Sequence, residues 1–317
     1  MRSCLWCWLR RCLRLYGGGQ LRGALFLLAA IAGVGFALAG DSATVEAQEY
    51  SAYADPERPA LSLVLSEKLY LEEFREEFGL NNDEIEQVRA AVLKENEALA
   101  AAYTESEQIA ESSEGLTEEQ IAEKIAASDY HEKVRAAIAE TKATIEGLLP
   151  EERRAELLAW VDAKIAQQGQ VAAAFSEVSV AGKDGIRCRV FATQYRGFTR
   201  SEVALPHRSL KDKGGYTVSI RRGKHATKAK VKEVGPWNIR DNYWQSRKNR
   251  DMWDDLPRCT PEAQAAYFKN YNRGKDQYGR KVLNPAGVDL TPRVASRLGL
   301  KKYQNAWVWV RYPWVKQ

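Results

Sequence analysis

The sequence has few of the side chains that most often carry metal-binding or nucleophilic chemistry. Its 317 residues include only three His, five Cys and two Met. Cys4, Cys7 and Cys12 lie near the start, where one Cys-x-x-Cys pair has no second half to complete a zinc site. His131 has no other His or Cys beside it. We therefore predict no metal site and no cofactor.

One apolar run stands out near the start of the chain. Five Arg and no acidic residue precede it, and the uncharged stretch extends from Gly23 to Gly40. This order is typical of an export signal or a membrane anchor, and it places everything after Asp41 outside the cytoplasm. The run is short for a membrane span, which needs about 20 residues. Ala37-Leu38-Ala39 offers a cleavage site, so residues 1–47 are predicted to be a signal peptide or a retained anchor.

The charges divide the rest of the chain into two regions of opposite sign. Residues 57–170 carry 26 acidic and 12 basic side chains, a net charge of −14, whereas residues 175–317 carry 12 acidic and 30 basic ones, a net charge of +18. We predict an acidic domain over 57–170 and a basic domain over 180–317. Opposite charges favour a contact between them that weakens as salt screens it.

The acidic region has a helical pattern. Ile85, Val88, Val92, Glu95 and Leu99 recur at steps of three and four residues. Ala and Glu dominate elsewhere, and both favour helix. Capping signals begin at three positions, which are Asn81, Thr117 and Pro150. The region is predicted to form a hairpin or short bundle of three to five helices.

The basic region changes to period-two alternation, which predicts strands. The alternating runs are Ile186 to Phe191, Tyr216 to Arg221, Lys228 to Val234 and Trp307 to Tyr312. Helical patterns interrupt them at Pro261 to Tyr267 and at Thr291 to Leu298. The order fits a small mixed β-barrel, so the chain is predicted to be an α+β multi-domain protein.

Two cysteines remain after the leader, Cys188 and Cys259. Disulfides form in oxidising compartments, so an exported domain favours one bond between these two thiols. A disulfide also requires that the two residues come within reach, which sequence does not show.

Glu233 is the most informative carboxylate. It precedes Gly235-Pro236, and proline has no N–H to donate to a strand partner, so the strand must end there. Glu233 is therefore predicted to lie at the lip of a sheet. Three roles stay open for it, namely catalysis, ligand binding without cleavage, and a hydrogen bond that fixes the fold.

The order of several short motifs carries a family resemblance. The motifs are Tyr216-Thr217-Val218-Ser219-Ile220, Lys230-Val231-Lys232-Glu233-Val234-Gly235-Pro236-Trp237, Val288-Asp289-Leu290-Thr291, Ala295-x-x-Leu298-Gly299-Leu300 and Trp307-Val308-Trp309-Val310. In this order they resemble the signature segments of rare-lipoprotein-A-like and expansin-like proteins. The resemblance covers about residues 185–315 and nothing upstream. It implies a six-stranded double-psi β-barrel, here with a helical and aromatic insertion.

The resemblance also implies a site. Catalytic members of that family use an Asp at the position matching Glu233, together with a His early in the barrel. Ala204-Leu205-Pro206-His207-Arg208-Ser209-Leu210 resembles the segment that holds this His, so His207 is the matching candidate. Asp289 is a further candidate, either as a second polar group of the site or as a residue that fixes a turn. The chain departs from the family by Glu for Asp, by Val234 for Arg, and by the insertion from Asn238 to Gly287.

The insertion mixes aromatic and charged side chains near its start. They are Trp237, Arg240, Asp241, Tyr243 and Trp244. Aromatic rings stack on sugars and cations attract anions, so these residues are candidates for a saccharide-binding groove. The equally open alternative is a small satellite core held by the tryptophans.

These observations lead to one main hypothesis and two rivals. The main hypothesis is an exported or membrane-tethered protein of the bacterial cell envelope whose barrel binds, and possibly cleaves, a polysaccharide such as peptidoglycan. A lytic transglycosylase needs a single acid and base, and Glu233 would suffice. The first rival is a non-catalytic, expansin-like wall-binding or wall-loosening module whose helical region is a spacer or an arm that binds a protein partner. The second is a polyanion or nucleic-acid binder, which export disfavours, so we expect no specific nucleic acid.

Overall fold

The computed structural model describes residues 51–113, 115–176, 180–182, 185–195 and 201–315, and all of them belong to one compact unit. The predicted signal peptide or anchor, residues 1–47, lies outside the described residues. None of the helices formed by the described residues is both long enough and apolar enough to cross a membrane.

Six helices form in the described part of the acidic region. They are α1 (Ala60–Leu65), α2 (Lys68–Phe78), α3 (Asn82–Glu111), α4 (Glu118–Ala126), α5 (Tyr130–Gly147) and α6 (Arg154–Ser176). The prediction of three to five was too low, because α1, α2 and α5 begin without a side-chain cap that marks their start. The short α1 is also buried on every side, so its sequence shows no polar face.

The structure confirms the predicted cap at Asn81, where the long helix α3 begins. The Asn81 side chain accepts hydrogen bonds from the backbone N–H groups of Asp83 and Glu84, and the Glu84 side chain accepts one from the Asn81 N–H. This reciprocal capping satisfies donors that the first turn leaves unpaired. Thr117 and Gln120 form the same arrangement at the start of α4.

Seven strands form in the described part of the basic region. They are β1 (Val180–Gly182), β2 (Gly185–Gln194), β3 (Glu202–Leu205), β4 (Thr217–Arg222), β5 (His225–Val234), β6 (Ala286–Leu290) and β7 (Ala306–Tyr312). Strands β2, β6, β3, β5, β4 and β7 pair in that order, and β7 returns to β2. The result is a closed six-stranded barrel, so the α+β class is confirmed.

Alternate residues of the longer strands fill the barrel, as the period-two pattern predicts. The interior residues include Cys188, Val190, Val218, Ile220, Val231, Val288, Val308 and Val310. Strands β3 and β6 gave no alternating signal, because they are short and both of their faces are largely covered. Three short helices accompany the barrel, namely α7 (Ser209–Asp212), α8 (Glu262–Lys269) and α9 (Pro292–Arg297).

A disulfide joins Cys188 to Cys259, with their Cα atoms 5.1 Å apart. It links the interior of β2 to the insertion. The Cys259 N–H also donates to the carbonyl of Tyr243 at 2.8 Å. The insertion is therefore attached to the barrel at a buried point.

The helices and the barrel meet around Trp237, whose backbone has a φ of 65°. This left-handed conformation is costly for a bulky residue and needs support from its surroundings. The Trp237 N–H donates to the Tyr103 hydroxyl of α3 at 2.8 Å, and the Trp237 carbonyl accepts from Arg280 at 2.7 Å. Arg280 also donates to Ser106 of α3 at 2.9 Å and to Asp276 at 2.6 Å.

The contact between the acidic and basic regions is mainly a shared core. One cluster of buried residues includes apolar side chains from the helices together with Trp237, Tyr267, Tyr278 and Val282. Ion pairs such as that between Lys281 and Asp55 (3.0 Å) only supplement it. Attraction between opposite charges was our sequence-based reason to expect a contact, and burial of apolar surface is the stronger cause.

Because this contact is buried, we expect salt to leave the shape of the molecule unchanged. The radius of gyration should be the same in low salt and in 1 M salt, since screening weakens exposed charges far more than a packed core. Small-angle scattering measures it. An expansion with added salt would show that charge holds the two regions together.

We expect Arg280→Met to destabilise the protein by about 3 to 5 kcal/mol, because it leaves the Asp276 carboxylate buried without its partner. Urea denaturation measures the loss. The double variant Arg280→Met/Asp276→Asn should recover part of it, whereas the exposed control Arg297→Met should behave like wild type. A loss no larger than the control's would contradict the assignment.

Candidate functional site

Glu233 lies one residue before the end of β5. The pairing between β3 and β5 shifts by one residue just before Ala204, so that Ala204 pairs with Glu233. Gly235 follows with a φ of 133° and a cis peptide bond to Pro236. Its N–H donates to the Leu205 carbonyl at 3.1 Å, which fixes the chain where it leaves the strand.

A second carboxylate lies in the same row across the barrel wall. Asp289 of β6 pairs with Ala204 of β3, which in turn pairs with Glu233 of β5. The row faces outward, because the residues that flank Ala204 and Asp289, which are Val203, Leu205, Val288 and Leu290, belong to the barrel core. Neighbouring strands are about 4.8 Å apart, so the two acidic residues lie about 10 Å apart along the wall. The small, buried Ala204 lies between them.

Helix α3 covers one side of this row. A Cβ atom at Gly235 would lie 3.7 Å from the Glu107 carboxylate and 3.8 Å from the Tyr103 hydroxyl. Tyr103 and Glu107 are one turn apart, so they lie on the same helix face. Glu107, Glu233 and Asp289 all keep partial exposure to solvent. We call the space that Tyr103, Glu107, Glu233 and Asp289 line the acidic cleft.

The three carboxyl groups of the acidic cleft hold their protons more tightly than usual. Burial raises the pKa of Glu107 to about 7, and the charge of Asp289 adds to this while Arg280 opposes it. Burial raises the pKa of Asp289 to about 6, against a hydrogen bond from Thr193. Burial also raises the pKa of Glu233, although Lys211 opposes the shift. Carboxyl groups of this kind can donate a proton near neutral pH.

Lys211 is the charged partner of Glu233. Its ammonium lies 3.2 Å from the Glu233 carboxylate and comes from the short helix α7. A cation at this distance stabilises the ionised form after Glu233 gives up a proton. Glu233 can therefore exist in both protonation states.

The side chain of His207 has other partners than Glu233. Its Nδ1 is 2.7 Å from the Ser209 hydroxyl, and its Nε2 is 3.5 Å from the Asp251 carboxylate. Burial lowers the pKa of His207, against the charge of Asp251, so the ring is neutral at neutral pH. Within the part of the chain that the structure describes, no hydrogen bond joins His207 to Glu233. The residue brought into the row with Glu233 is Asp289.

Most of the candidate saccharide-binding residues are buried, which agrees with the satellite-core alternative. Trp244 stacks on Tyr312 with ring centroids 4.9 Å apart, and the Tyr243 hydroxyl donates to a backbone carbonyl. Asp241 pairs with Arg250 at 2.6 Å, and Trp237 is 3 % exposed. These four side chains are not available to a sugar in this structure.

Arg240 is the exposed member of that candidate set. It forms ion pairs with Asp251 at 3.3 Å and with Glu118 of α4 at 3.7 Å. It therefore contributes to the contact with the helices.

Sequence reasoning missed Tyr103, Glu107, Thr193 and Lys211. The spacing of four residues predicts that Tyr103 and Glu107 share one helix face. The many acidic residues of α3 suggest that this face is solvated, so the spacing did not indicate a site. Their contact with the barrel joins segments more than a hundred residues apart. Among the described residues, no group of three His, Cys, Asp or Glu side chains is arranged to hold a metal ion.

The fold defines a closed barrel that carries an outward row of carboxylates. Residues 180–311 match the family described as a domain of unknown function (DUF8814), which is less than half of the chain. The matched segment contains His207, Glu233 and Asp289, and it leaves Tyr103 and Glu107 outside. No curated protein and no solved structure matches the chain.

Glu107 gives a prediction for the pH dependence of stability. The pKa of Glu107 in the folded state is raised to about 7 from an ordinary 4.5. The stabilisation of the folded state by protonated Glu107 is therefore fully present below pH 4.5 and is lost as the pH rises through 7. Glu107→Gln keeps the neutral form at every pH. Its stability relative to wild type should therefore rise by about 1 to 3 kcal/mol between pH 4.5 and pH 8.

Urea denaturation at several pH values measures this difference. Glu123→Gln, which changes an exposed Glu of α4, is the matched control and should follow wild type across the range. A constant difference between Glu107→Gln and wild type would show that Glu107 does not titrate in this window.

Proposed function

We propose that this protein acts outside the cytoplasm, in the bacterial cell envelope, and that its barrel binds and cleaves a polysaccharide such as peptidoglycan. The observation that supports this best is the outward row of Glu233, Ala204 and Asp289. Two carboxyl groups with raised pKa values, both partly exposed to solvent, flank a small residue. That arrangement suits an extended sugar chain lying across the strands.

Glu233 is the general acid and base in this proposal. Protonated Glu233 gives its proton to the glycosidic oxygen while the bond from that oxygen to the sugar carbon breaks. The resulting carboxylate then takes a proton from a hydroxyl of the same sugar, whose oxygen closes an anhydro ring on that carbon. The proton count returns to its starting value and water is not consumed. Ionised Asp289 stabilises the positive charge that develops on the ring.

Two further observations support the compartment and the family assigned by this proposal. The disulfide between Cys188 and Cys259 fits an oxidising environment, as the basic and apolar leader does. The closed barrel of six strands fits the double-psi connection that the motif order suggests.

The experiment follows product release. The purified protein is incubated with peptidoglycan sacculi, and the soluble products are examined by mass spectrometry. We expect products with anhydro-sugar ends from wild type and from Asp212→Asn, which changes an exposed carboxylate next to Lys211. Glu233→Gln should release on the order of a hundredfold less or none. If Glu233→Gln released as much anhydro-sugar product as wild type, Glu233 would have no role in the reaction.

One observation favours a second candidate function. His207 makes no hydrogen bond with Glu233 among the described residues, whereas the resemblance implies that these two act as a pair. A barrel without that pair can bind a wall polysaccharide without cutting it, as an expansin-like module does. Retention of wild type and of Glu233→Gln on sacculi with no soluble product would support this function.

A further inference from the structure

The outward face of four adjacent strands carries only one sign of charge. Strands β2, β7, β4 and β5 are neighbours in the barrel. Their outward cationic residues, which we call the basic wall, are Arg187, Arg189, Arg221, Lys228, Lys230, Lys232 and Arg311. The other outward residues of these strands include Phe191, Thr217, Ser219, Ala226, Trp307 and Trp309, none of which is acidic. The nearest acidic residues are Glu202 of β3, which pairs with Lys230, and Glu233 of the acidic cleft.

Two cations of the basic wall lie directly opposite each other. Arg187 pairs directly with Arg311, which pairs with Ser219, which pairs with Lys228. Like charges directly opposite on a sheet are destabilising. The exposed helices of the same chain instead pair Lys with Glu. Among the described residues, the ion pairs include none of Arg187, Lys228, Lys230 and Lys232.

The arrangement indicates a linear ligand with closely spaced charges. Lys228, Lys230 and Lys232 are exposed and alternate along β5, so successive ammonium groups are about 7 Å apart. They line a surface groove together with Ser201 and Thr217. A phosphodiester-linked chain carries a full charge on every repeat and so matches this density. Arg187 and Arg221 add guanidinium groups, which bind phosphate with two parallel hydrogen bonds.

The same surface lacks free aromatic rings for stacking single-stranded bases and apolar side chains for insertion into a lipid bilayer. Single-stranded nucleic acid is held by aromatic rings on which bases stack. Here Trp309 packs against Phe175 and Trp307 packs against Phe191, so neither ring is a free platform. Among the described residues the exposed large apolar side chains are Leu69, Leu116 and Leu158, which all belong to the acidic region. The basic wall therefore offers nothing to insert into a membrane.

We propose that the basic wall binds a phosphodiester-linked polyol polymer of the cell envelope. This inference rests on the export part of the proposed function, but it uses a different face of the barrel from the acidic cleft. The polymer neutralises the exposed Arg187 and lies along the lysines of β5. It holds the protein in the wall while the acidic cleft acts on a separate polysaccharide.

The test uses the full chain and a fluorescently labelled poly(glycerol phosphate) of defined length. Fluorescence anisotropy gives the dissociation constant at several salt concentrations. The variant Lys228→Gln/Lys230→Gln/Lys232→Gln should bind at least about tenfold more weakly at low salt, and its slope of log affinity against log salt should be smaller by about two. The matched control Lys248→Gln/Lys269→Gln/Lys301→Gln removes the same charge from exposed positions elsewhere and should bind like wild type.

A second variant separates binding from folding. Arg187→Thr removes one of the two opposed cations and places a residue with high strand propensity on β2. Without polymer its melting temperature should equal or exceed that of wild type, while its affinity for poly(glycerol phosphate) should fall severalfold. A lower melting temperature with unchanged affinity would mean that Arg187 is structural.

Several outcomes overturn the proposal. They are equal losses in the two triple variants, no binding by wild type at low salt, tighter binding to single-stranded DNA with the same number of phosphates, and tighter binding to vesicles of anionic lipid. The sacculus assay remains separate. Glu233→Gln should retain full affinity for poly(glycerol phosphate), and the β5 triple variant should still release anhydro-sugar products from soluble glycan fragments, so the two proposals fail independently.

Discussion

The rest of the structure depends on the hydrogen bonds that the buried guanidinium of Arg280 donates. It is 1 % exposed and bonds at once to Asp276, to Ser106 of helix α3 and to the carbonyl of Trp237. It also lies over the Tyr103 ring, at 4.7 Å from the centroid. A single cation thus joins the helices, the insertion and the strand end where Glu233 lies. Burying it is tolerable only because each of its neighbours satisfies a donor or the charge.

That constraint explains why the acidic cleft draws on both regions of the chain. Arg280 and Tyr103 hold Trp237 in its left-handed conformation, and Trp237 follows the Gly235-Pro236 step that ends β5. The same contacts bring Glu107 over Gly235. A carboxyl group from a helix and two from strands therefore share one desolvated space. Burial raises the cost of ionising each of them, and the charge of Asp289 adds to that cost for Glu107, which is why all three hold their protons more tightly than usual.

The sequence allowed much of the fold to be predicted and less of the site. Local signals sufficed for α3, whose Asn81 cap and buried face formed as expected, and for β4 and β5, whose alternation matches the barrel interior. The cleft depends on contacts between distant segments, and no local pattern encodes the approach of Glu107 to Gly235. The insertion was ambiguous for a related reason. Trp and Tyr serve equally well as sugar platforms and as core residues, and only the surrounding chain decides between them.

The separation of charge within one compact unit has a consequence for orientation. The outward row on β3 and β6 faces helix α3, whereas the basic wall follows β5, β4, β7 and β2 around the rest of the closed barrel. Such a molecule carries a large permanent electric dipole along a fixed molecular axis. Near a dense layer of anions it turns its cationic side inward before any specific contact forms. Strands β3 and β6, which carry the Ala204 and Asp289 part of the acidic row, then face away from the layer.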